Sequence, residues 1–164
     1  ILIGMPASGK STVGVIVAKK LGYAFVDTDL IIQTRMKAKL EEIISSKGIE
    51  TFLDIESDAC CSLSVSKTVI ATGGSVIYSK QAMEHLKKLG IIIYLKVDYS
   101  ILEERIPDMD KRGVIRLGKD QTLLDLYRER TQIYERYADI IIDEKDMSLE
   151  ETADAVSSMI LTSY

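Results

Sequence analysis

The chain has few or none of the residues that several kinds of site require. Its 164 residues include one histidine, His85, which excludes a zinc site built from several histidines. The only cysteines, Cys60 and Cys61, are neighbours, and adjacent side chains on a helix point about 100° apart. We therefore expect neither a disulfide nor a metal pair from them, but packing residues of a reducing, cytoplasmic compartment. Asparagine is absent, which excludes the N-K-x-D element that recognises guanine in GTPases.

Charge and hydropathy exclude two classes of partner. Lysine and arginine number 21 against 25 acidic residues, so the net charge of −4 argues against an open nucleic-acid surface. No uninterrupted apolar run approaches the roughly 18–20 residues of a membrane span, so we expect no membrane partner. The length suits one domain over residues 1–164, and no large apolar patch argues against a monomer.

Short apolar runs alternate with helical patterns along the chain, which predicts an α/β fold with a parallel sheet between two layers of helices. The predicted strands are Ile1–Ile3, Tyr23–Asp27, Thr68–Ala71, Ile91–Leu95 and Asp139–Asp143. The predicted helices are Lys10–Leu21, Leu30–Met36, Leu40–Ser46, Glu50–Ser64, Lys80–Leu89, Ser100–Ile106, Thr122–Tyr137 and Ser148–Leu161.

A phosphate-loop motif lies between the first strand and the first helix. Residues 4–11, Gly-Met-Pro-Ala-Ser-Gly-Lys-Ser, match G-x-x-x-x-G-K-[S/T] in full. In such a loop, backbone N–H groups surround phosphate oxygens, Lys10 reaches the β- and γ-phosphates, and the Ser11 hydroxyl binds Mg²⁺. A glycine-rich turn without a ligand is the alternative. The predicted phosphate-binding residues are Gly4, Ala7, Ser8, Gly9, Lys10, Ser11 and Thr12.

Polar residues follow the second and third strands, whose carboxyl ends should meet beside this loop. Asp27 and Asp29 can hold a Mg²⁺-bound water and an acceptor hydroxyl, although Asp27-Thr28-Asp29 also suits a helix N-cap. Gly73 and Gly74 can let the backbone approach a ligand closely, and a simple turn is the alternative.

Two further features carry arginines. Residues 107–119 lack periodicity and include Arg112 and Arg116, which predicts either a lid or a plain surface loop. In the helix over 122–137, Arg130 lies among apolar and aromatic residues of one face. A buried guanidinium needs an anion, which is either a ligand or a structural carboxylate.

Together these motifs resemble the shikimate kinase family over nearly the whole chain and in the family's order. The phosphate loop, Asp27–Asp29 and Ala71–Gly74 match three family elements. Arg112 resembles the lid arginine, and Arg130 with Tyr134 resembles the late Arg-x-x-x-Tyr signature. Phe52 and Glu56 match a Phe-Arg-x-x-Glu element on the substrate helix.

The resemblance implies a P-loop fold of the nucleoside-monophosphate-kinase type, with substrate-binding helices over residues 30–65 and a lid over 107–120. It implies transfer of the γ-phosphoryl group of ATP, with Mg²⁺, to the hydroxyl of a small hydroxy acid, shikimate, in aromatic amino acid biosynthesis. The implied catalytic residues are Lys10, Asp29 and Arg112, and Asp29 would bind the acceptor hydroxyl. Asp27 would hold Mg²⁺ through water, and Arg105 would lie near adenine. Gly73 and Gly74 would line the substrate ring, and Arg130 would bind the substrate carboxylate.

Three residues depart from the family pattern. Leu53 replaces the arginine that shares the substrate carboxylate with the Arg130 counterpart, a bond worth about 1.5–3 kcal/mol. Ser75 replaces a third glycine, and Gly113 replaces the proline after the lid arginine, which should loosen the lid. Arg35 and Arg116 are candidates to compensate. Two alternatives therefore stay open: a kinase for another sugar acid or a nucleotide, and a non-catalytic ATP-binding regulatory protein.

Overall fold

The computed structural model describes residues 1–118 and 120–162, and its central element is a parallel sheet of five strands in the order β2-β3-β1-β4-β5. All four strand pairings are parallel. The strands are β1 Leu2–Ile3, β2 Ala24–Asp27, β3 Thr68–Ala71, β4 Ile93–Lys96 and β5 Ile140–Asp143. The predicted α/β class and parallel sheet are confirmed, with strand ends shifted by one or two residues.

Eight α-helices connect or flank these strands in the described residues. They are α1 Lys10–Leu21, α2 Thr28–Met36, α3 Leu40–Lys47, α4 Ile49–Cys61, α5 Lys80–Leu89, α6 Tyr99–Arg105, α7 Leu123–Tyr137 and α8 Leu149–Thr162. A 3₁₀ turn at Val76–Tyr78, which the sequence analysis did not predict, follows β3. Helix α2 begins two residues before its predicted start because Asp27 caps it.

Side-chain alternation along the strands builds an apolar core on each face of the sheet. Leu2 faces one core, which is formed with α1 and α8, and Ile3 faces the other, formed with α4 to α7. Tyr94 of β4 lies on the second face, where it stacks on Tyr134 of α7 with ring centroids 5.0 Å apart. The predicted three-layer arrangement is therefore confirmed.

The strand order places the carboxyl end of β1 at the point where the chain changes sides. The chain runs to one side of β1 for β2 and β3 and to the other side for β4 and β5. Loops that leave neighbouring strands in opposite directions open a crevice at that end of a parallel sheet. A third apolar cluster, formed by α2, α3, α4 and Ile115 of the predicted lid, closes one side of the crevice.

Candidate active site

A cleft of about 710 Å³ opens at the carboxyl ends of the strands. All the predicted site residues except Gly4 and Ser8, which are buried in the loop, line it. Those that line it are Ala7, Gly9, Lys10, Ser11, Thr12, Asp27, Asp29, Gly73, Gly74, Arg105, Arg112 and Arg130. The structure thus brings residues from six separate stretches of sequence to one cavity.

The phosphate loop has the backbone of an anion-binding turn. Ala7 and Gly9 have φ angles of 61° and 90°, in the left-handed region, between β1 and the first residue of α1. Helix α1 has no side-chain cap and no acidic residue in its first turn. Its first N–H groups and the positive end of its dipole are therefore available to an anion.

Lys10 is held at the mouth of this loop by three short contacts. Its Nζ donates to the carbonyl oxygens of Gly4 and Met5 at 2.9 and 2.7 Å and to Ser8 Oγ at 3.3 Å. Burial lowers the pKa of Lys10 to about 8, against the opposing attraction of Asp29. The ammonium group is therefore desolvated and largely charged at neutral pH, which strengthens its interaction with a phosphate.

Asp27 caps helix α2, as its position suggested, and also contacts the phosphate-loop motif. One carboxylate oxygen caps α2 by accepting hydrogen bonds from the N–H groups of Asp29 and Leu30, at 2.9 and 3.4 Å. The other accepts a 2.6 Å hydrogen bond from the Ser11 hydroxyl. The start of α2 is thereby tied to the phosphate-loop motif, and a hydroxyl oxygen and a carboxylate oxygen lie side by side.

Asp29 lies in the first turn of α2 and lines the cleft. Burial raises its pKa to about 6; the negative charge of Asp27 also raises it, and Lys10 lowers it. A Cβ atom added at Gly73 would overlap Glu56 Oε1 and come within 2.9 Å of Asp29 Oδ1, so a larger residue here would have to displace these carboxyl groups. The Gly73 N–H also donates to Thr28 Oγ1 at 3.2 Å, which fixes the glycine pair against α2.

Arg130 is 1% exposed and has only neutral partners in the residues that the structure describes. Its Nη2 donates to the Ile115 carbonyl at 2.6 Å, its Nε donates to the Tyr78 hydroxyl at 3.2 Å, and its guanidinium carbon lies 5.2 Å from the centroid of the Tyr78 ring. A Cβ atom added at Gly74 would meet its Nη1 at 3.1 Å. The structural ion pair considered above is thus absent from the described residues, and Nη1 faces the cleft wall beside Gly74.

Two buried groups of this site were not among the predicted site residues. Glu56 of α4 is 1% exposed and lines the cleft, and its Oε2 accepts a 2.6 Å hydrogen bond from the Ser75 hydroxyl. The match to the family element on the substrate helix pointed to Glu56, but its contact with Ser75, 19 positions away, gave no signal in the spacing. Glu144 directly follows β5, and its Oε1 is buried without a hydrogen-bond partner in residues 1–118 and 120–162. The position of Glu144 at the carboxyl end of a strand was the sequence feature that could have pointed to it.

The predicted lid reaches over the cleft through Arg112, Gly113 and Ile115, which line it. Gly113 has a φ angle of 62°, and its N–H donates to the Asp110 carbonyl at 3.0 Å. Proline cannot adopt this φ, so the departure from the family pattern marks a different backbone turn. Lys119, at the predicted end of the lid, lies outside the described residues.

Other cationic side chains that were singled out from the sequence have defined positions. Arg105 at the end of α6 donates to the Ala7 carbonyl at 3.0 Å, which places it against the phosphate loop. Arg35 donates to Ser62 Oγ at 2.7 Å, and Arg116 pairs with Asp110. Neither Arg35 nor Arg116 lines the cleft, so neither compensates there for the missing arginine.

Leu53 does not line the cleft either. Its half-buried side chain packs against the apolar cluster of α2, α3, α4 and Ile115. The side chain of Leu53 therefore adds no apolar surface to the cleft wall. Relative to the family pattern, the replacement removes one positive charge from α4.

Comparison with known proteins matches this chain to one family. The family model described as shikimate kinase matches residues 6–161. A shikimate kinase of Thermodesulfovibrio yellowstonii is 35% identical over 95% of this chain and 91% of its own. A shikimate kinase of Clostridium botulinum is 34% identical over 98% of this chain and 95% of its own.

Solved structures agree with this result. The shikimate kinase of Acinetobacter baumannii in complex with shikimate superposes with a TM-score of 0.86 and 28% identity, covering 99% of this chain and 92% of that one. The shikimate kinase of Aquifex aeolicus superposes with a TM-score of 0.84 and 28% identity, covering 98% of this chain and 94% of that one. In the part of the chain that the structure describes, no helix is long and apolar enough to cross a membrane. The chain belongs to the shikimate kinase family and is a small-molecule kinase.

Proposed function

We propose that the protein transfers the γ-phosphoryl group of ATP to a ring hydroxyl of shikimate, giving shikimate 3-phosphate and ADP. The observation that carries this proposal is Arg130, a buried guanidinium without a carboxylate partner among the described residues, on the same cleft as Lys10 and Asp29. Such a cation is costly to bury alone, and a carboxylate on the acceptor compensates for that cost. The curated relatives named above are shikimate kinases, which supports the same acceptor.

The phosphate loop binds the nucleotide in this proposal. The N–H groups at the start of α1 hold the phosphates, and Lys10 exchanges its carbonyl contacts for the β- and γ-phosphate oxygens. Arg105 lies against the loop at Ala7, on the path to the adenine side. Arg112 of the lid approaches the transferring phosphoryl group and neutralises its charge.

The donors beside the loop fit a magnesium ion. Mg²⁺ prefers oxygen ligands and retains several waters, so it needs only one or two protein groups besides phosphates. The Ser11 hydroxyl and the Asp27 carboxylate, 2.6 Å apart, are such oxygens, and they would hold the ion. When bound, Mg²⁺ neutralises charge on the phosphate oxygens.

Asp29 orients the acceptor hydroxyl and receives its proton. Its carboxylate lies beside Gly73 and interacts electrostatically with Lys10, and its pKa of about 6 leaves it mostly ionised at neutral pH. Gly73 and Gly74 let the ring approach the backbone, and Arg130 binds the carboxylate at the other end of the ring. Catalysis consists of positioning and charge neutralisation, because phosphoryl transfer needs little covalent assistance from the protein.

The test is acceptor-dependent release of ADP by the purified protein with ATP and Mg²⁺. Shikimate, quinate, gluconate and a nucleoside monophosphate are supplied separately, and the phosphorylated product is identified by mass spectrometry. We expect turnover with shikimate alone and none with Lys10→Ala. Turnover with another acceptor and none with shikimate overturns the acceptor, whereas tight ATP binding without any turnover overturns the kinase activity. Organisation as one domain, the monomeric state and a cytoplasmic location stay predictions.

A further inference from the structure

A single hydrogen bond fixes the buried carboxyl group of Glu56. Ser75, the residue after the glycine pair, donates its hydroxyl to Glu56 Oε2 at 2.6 Å, and the two residues are 4% and 1% exposed. A bond this short between a hydroxyl and a carboxylate is among the stronger kinds. Within residues 1–118 and 120–162, Ser75 is the only hydrogen-bond partner of Glu56.

The charged and titratable groups around Glu56 come from four helices. They are Lys10 of α1, Asp29 of α2, Cys60 of α4 itself and Arg130 of α7. Burial raises the pKa of Glu56 to about 7; the Ser75 bond and the cations lower it, and Asp29 raises it. None of these cations lies within ion-pair distance of Glu56, although all four groups are near enough for their charges to act on one another.

Glu56 and Arg130 therefore carry opposite charges in the same desolvated cavity but do not form an ion pair. The guanidinium has neutral partners, the Ile115 carbonyl and the hydroxyls of Tyr78 and Tyr134, and its Nη1 lies beside Gly74. In a cavity of low dielectric constant, an unpaired carboxylate and guanidinium attract strongly. Glutamate has three rotatable side-chain bonds, so a specific restraint must prevent the two groups from meeting.

We propose that Ser75 is a positioning residue that holds Glu56 away from Arg130, so that the guanidinium stays available for the carboxylate of the acceptor. This inference rests on the proposed function. Without the Ser75 hydroxyl, Glu56 turns towards Arg130 and competes with the acceptor for the same cation. The position thus favours acceptors that carry a carboxylate, and its loss weakens acceptor binding without affecting the nucleotide.

The kinetic test is Ser75→Ala, with Ser57→Ala as its matched control. Ser57 follows Glu56 on α4, and its hydroxyl is hydrogen-bonded to Ser79 Oγ at 2.7 Å, outside the cleft lining. We expect Ser75→Ala to raise the KM for shikimate about tenfold at pH 8 and to leave the KM for ATP within about twofold, because a charge-assisted bond is worth at least about that factor. Ser57→Ala should change neither constant.

Two further measurements separate this mechanism from a merely structural loss. The ratio of the shikimate KM values of Ser75→Ala and wild type should shrink at pH 5.5, where Glu56 is protonated and cannot neutralise Arg130. In a Glu56→Gln background, adding Ser75→Ala should change the KM less than twofold, since a glutamine cannot neutralise the guanidinium either. An equal effect of Ser75→Ala in both backgrounds refutes the proposal.

A crystal structure of Ser75→Ala without substrates decides the question independently of the reaction. We expect a Glu56 carboxylate oxygen within 4 Å of an Arg130 nitrogen at pH 8. If Ser75→Ala does not fold, Ser75→Cys, which is close to serine in shape but a weak donor, takes its place. An unmoved Glu56 overturns the inference even if shikimate is the substrate; a moved Glu56 supports it even if wild type prefers another acceptor.

Discussion

Replacing Arg130 with lysine removes the planar guanidinium while retaining one positive charge. In the structure this group has three separate directions of contact: the Ile115 carbonyl at 2.6 Å, the Tyr78 hydroxyl at 3.2 Å, and Nη1 beside Gly74. A lysine ammonium is a compact charge that cannot reach all three from one position. The variant must therefore leave the acceptor carboxylate or a buried protein group without its partner.

The size of the effect follows from those contacts. A hydrogen bond to a charged group contributes about 1.5–3 kcal/mol, so losing the one to the acceptor raises its KM about 10- to 150-fold. The Ile115 carbonyl and the Tyr78 hydroxyl lose a buried donor, which lowers the free energy of unfolding by about 1–3 kcal/mol. The nucleotide contacts lie at the phosphate loop, so the KM for ATP should stay within about twofold.

The assay is steady-state ADP release with shikimate and ATP varied in turn, together with urea unfolding. Arg136→Lys is the matched control, because Arg136 lies on the same helix and its Nε donates to the Gln132 carbonyl at the exposed surface, outside the cleft. An unchanged shikimate KM in Arg130→Lys, or an equal rise in both KM values, refutes the assignment of Arg130 to the acceptor.

Four other outcomes follow from the same geometry. Leu53→Arg should lower the shikimate KM and leave the ATP KM unchanged, because the long arginine side chain can extend from this half-buried position towards the cleft; lost apolar packing should cost about 1 kcal/mol in urea unfolding. The pH profile of kcat/KM should fall below about pH 6, where Asp29 becomes protonated, and above about pH 8, where Lys10 loses its charge; flat limbs contradict these roles. Burial raises the pKa of Glu56 from 4.5 to about 7, so stability is greatest at low pH and declines as pH rises between those values, and Glu56→Gln should flatten this decline in urea titrations. Gly113→Pro should lower kcat/KM more than Gly113→Asn, since asparagine tolerates a φ of 62° and proline does not; equal losses would show that this angle is unimportant.

Elements with strong local signals were predicted closely. The limits of α1 and α5 agree with the prediction, and β3 does so as well, because caps and changes of pattern mark their ends. The turn at Val76–Tyr78 was missed because three residues are too few to show a period. Asp27 and Asp29 were placed correctly in the cleft because parallel strands bring their carboxyl ends to one edge.

The parts of the site that depend on side-chain direction were not predictable. Leu53 was expected on the cleft wall, yet the rotation of α4 places Phe52 and Glu56 there and turns Leu53 towards an apolar cluster. The bond between Ser75 and Glu56 joins residues 19 positions apart through tertiary packing alone. Sequence spacing defines which face of a helix a residue occupies, but it does not show what lies opposite.

The bond from Arg130 to the Ile115 carbonyl joins the proposed acceptor site to the segment that carries Arg112. One guanidinium thus serves both the acceptor's anion and the backbone of the lid. A change that orients this guanidinium better towards the acceptor's anion also orients it better towards the lid backbone, and the reverse holds. Thermodynamic linkage then requires reciprocity: if a bound acceptor favours the lid position that contacts ATP, bound ATP must tighten the acceptor by the same factor. The two substrates should therefore bind with positive cooperativity.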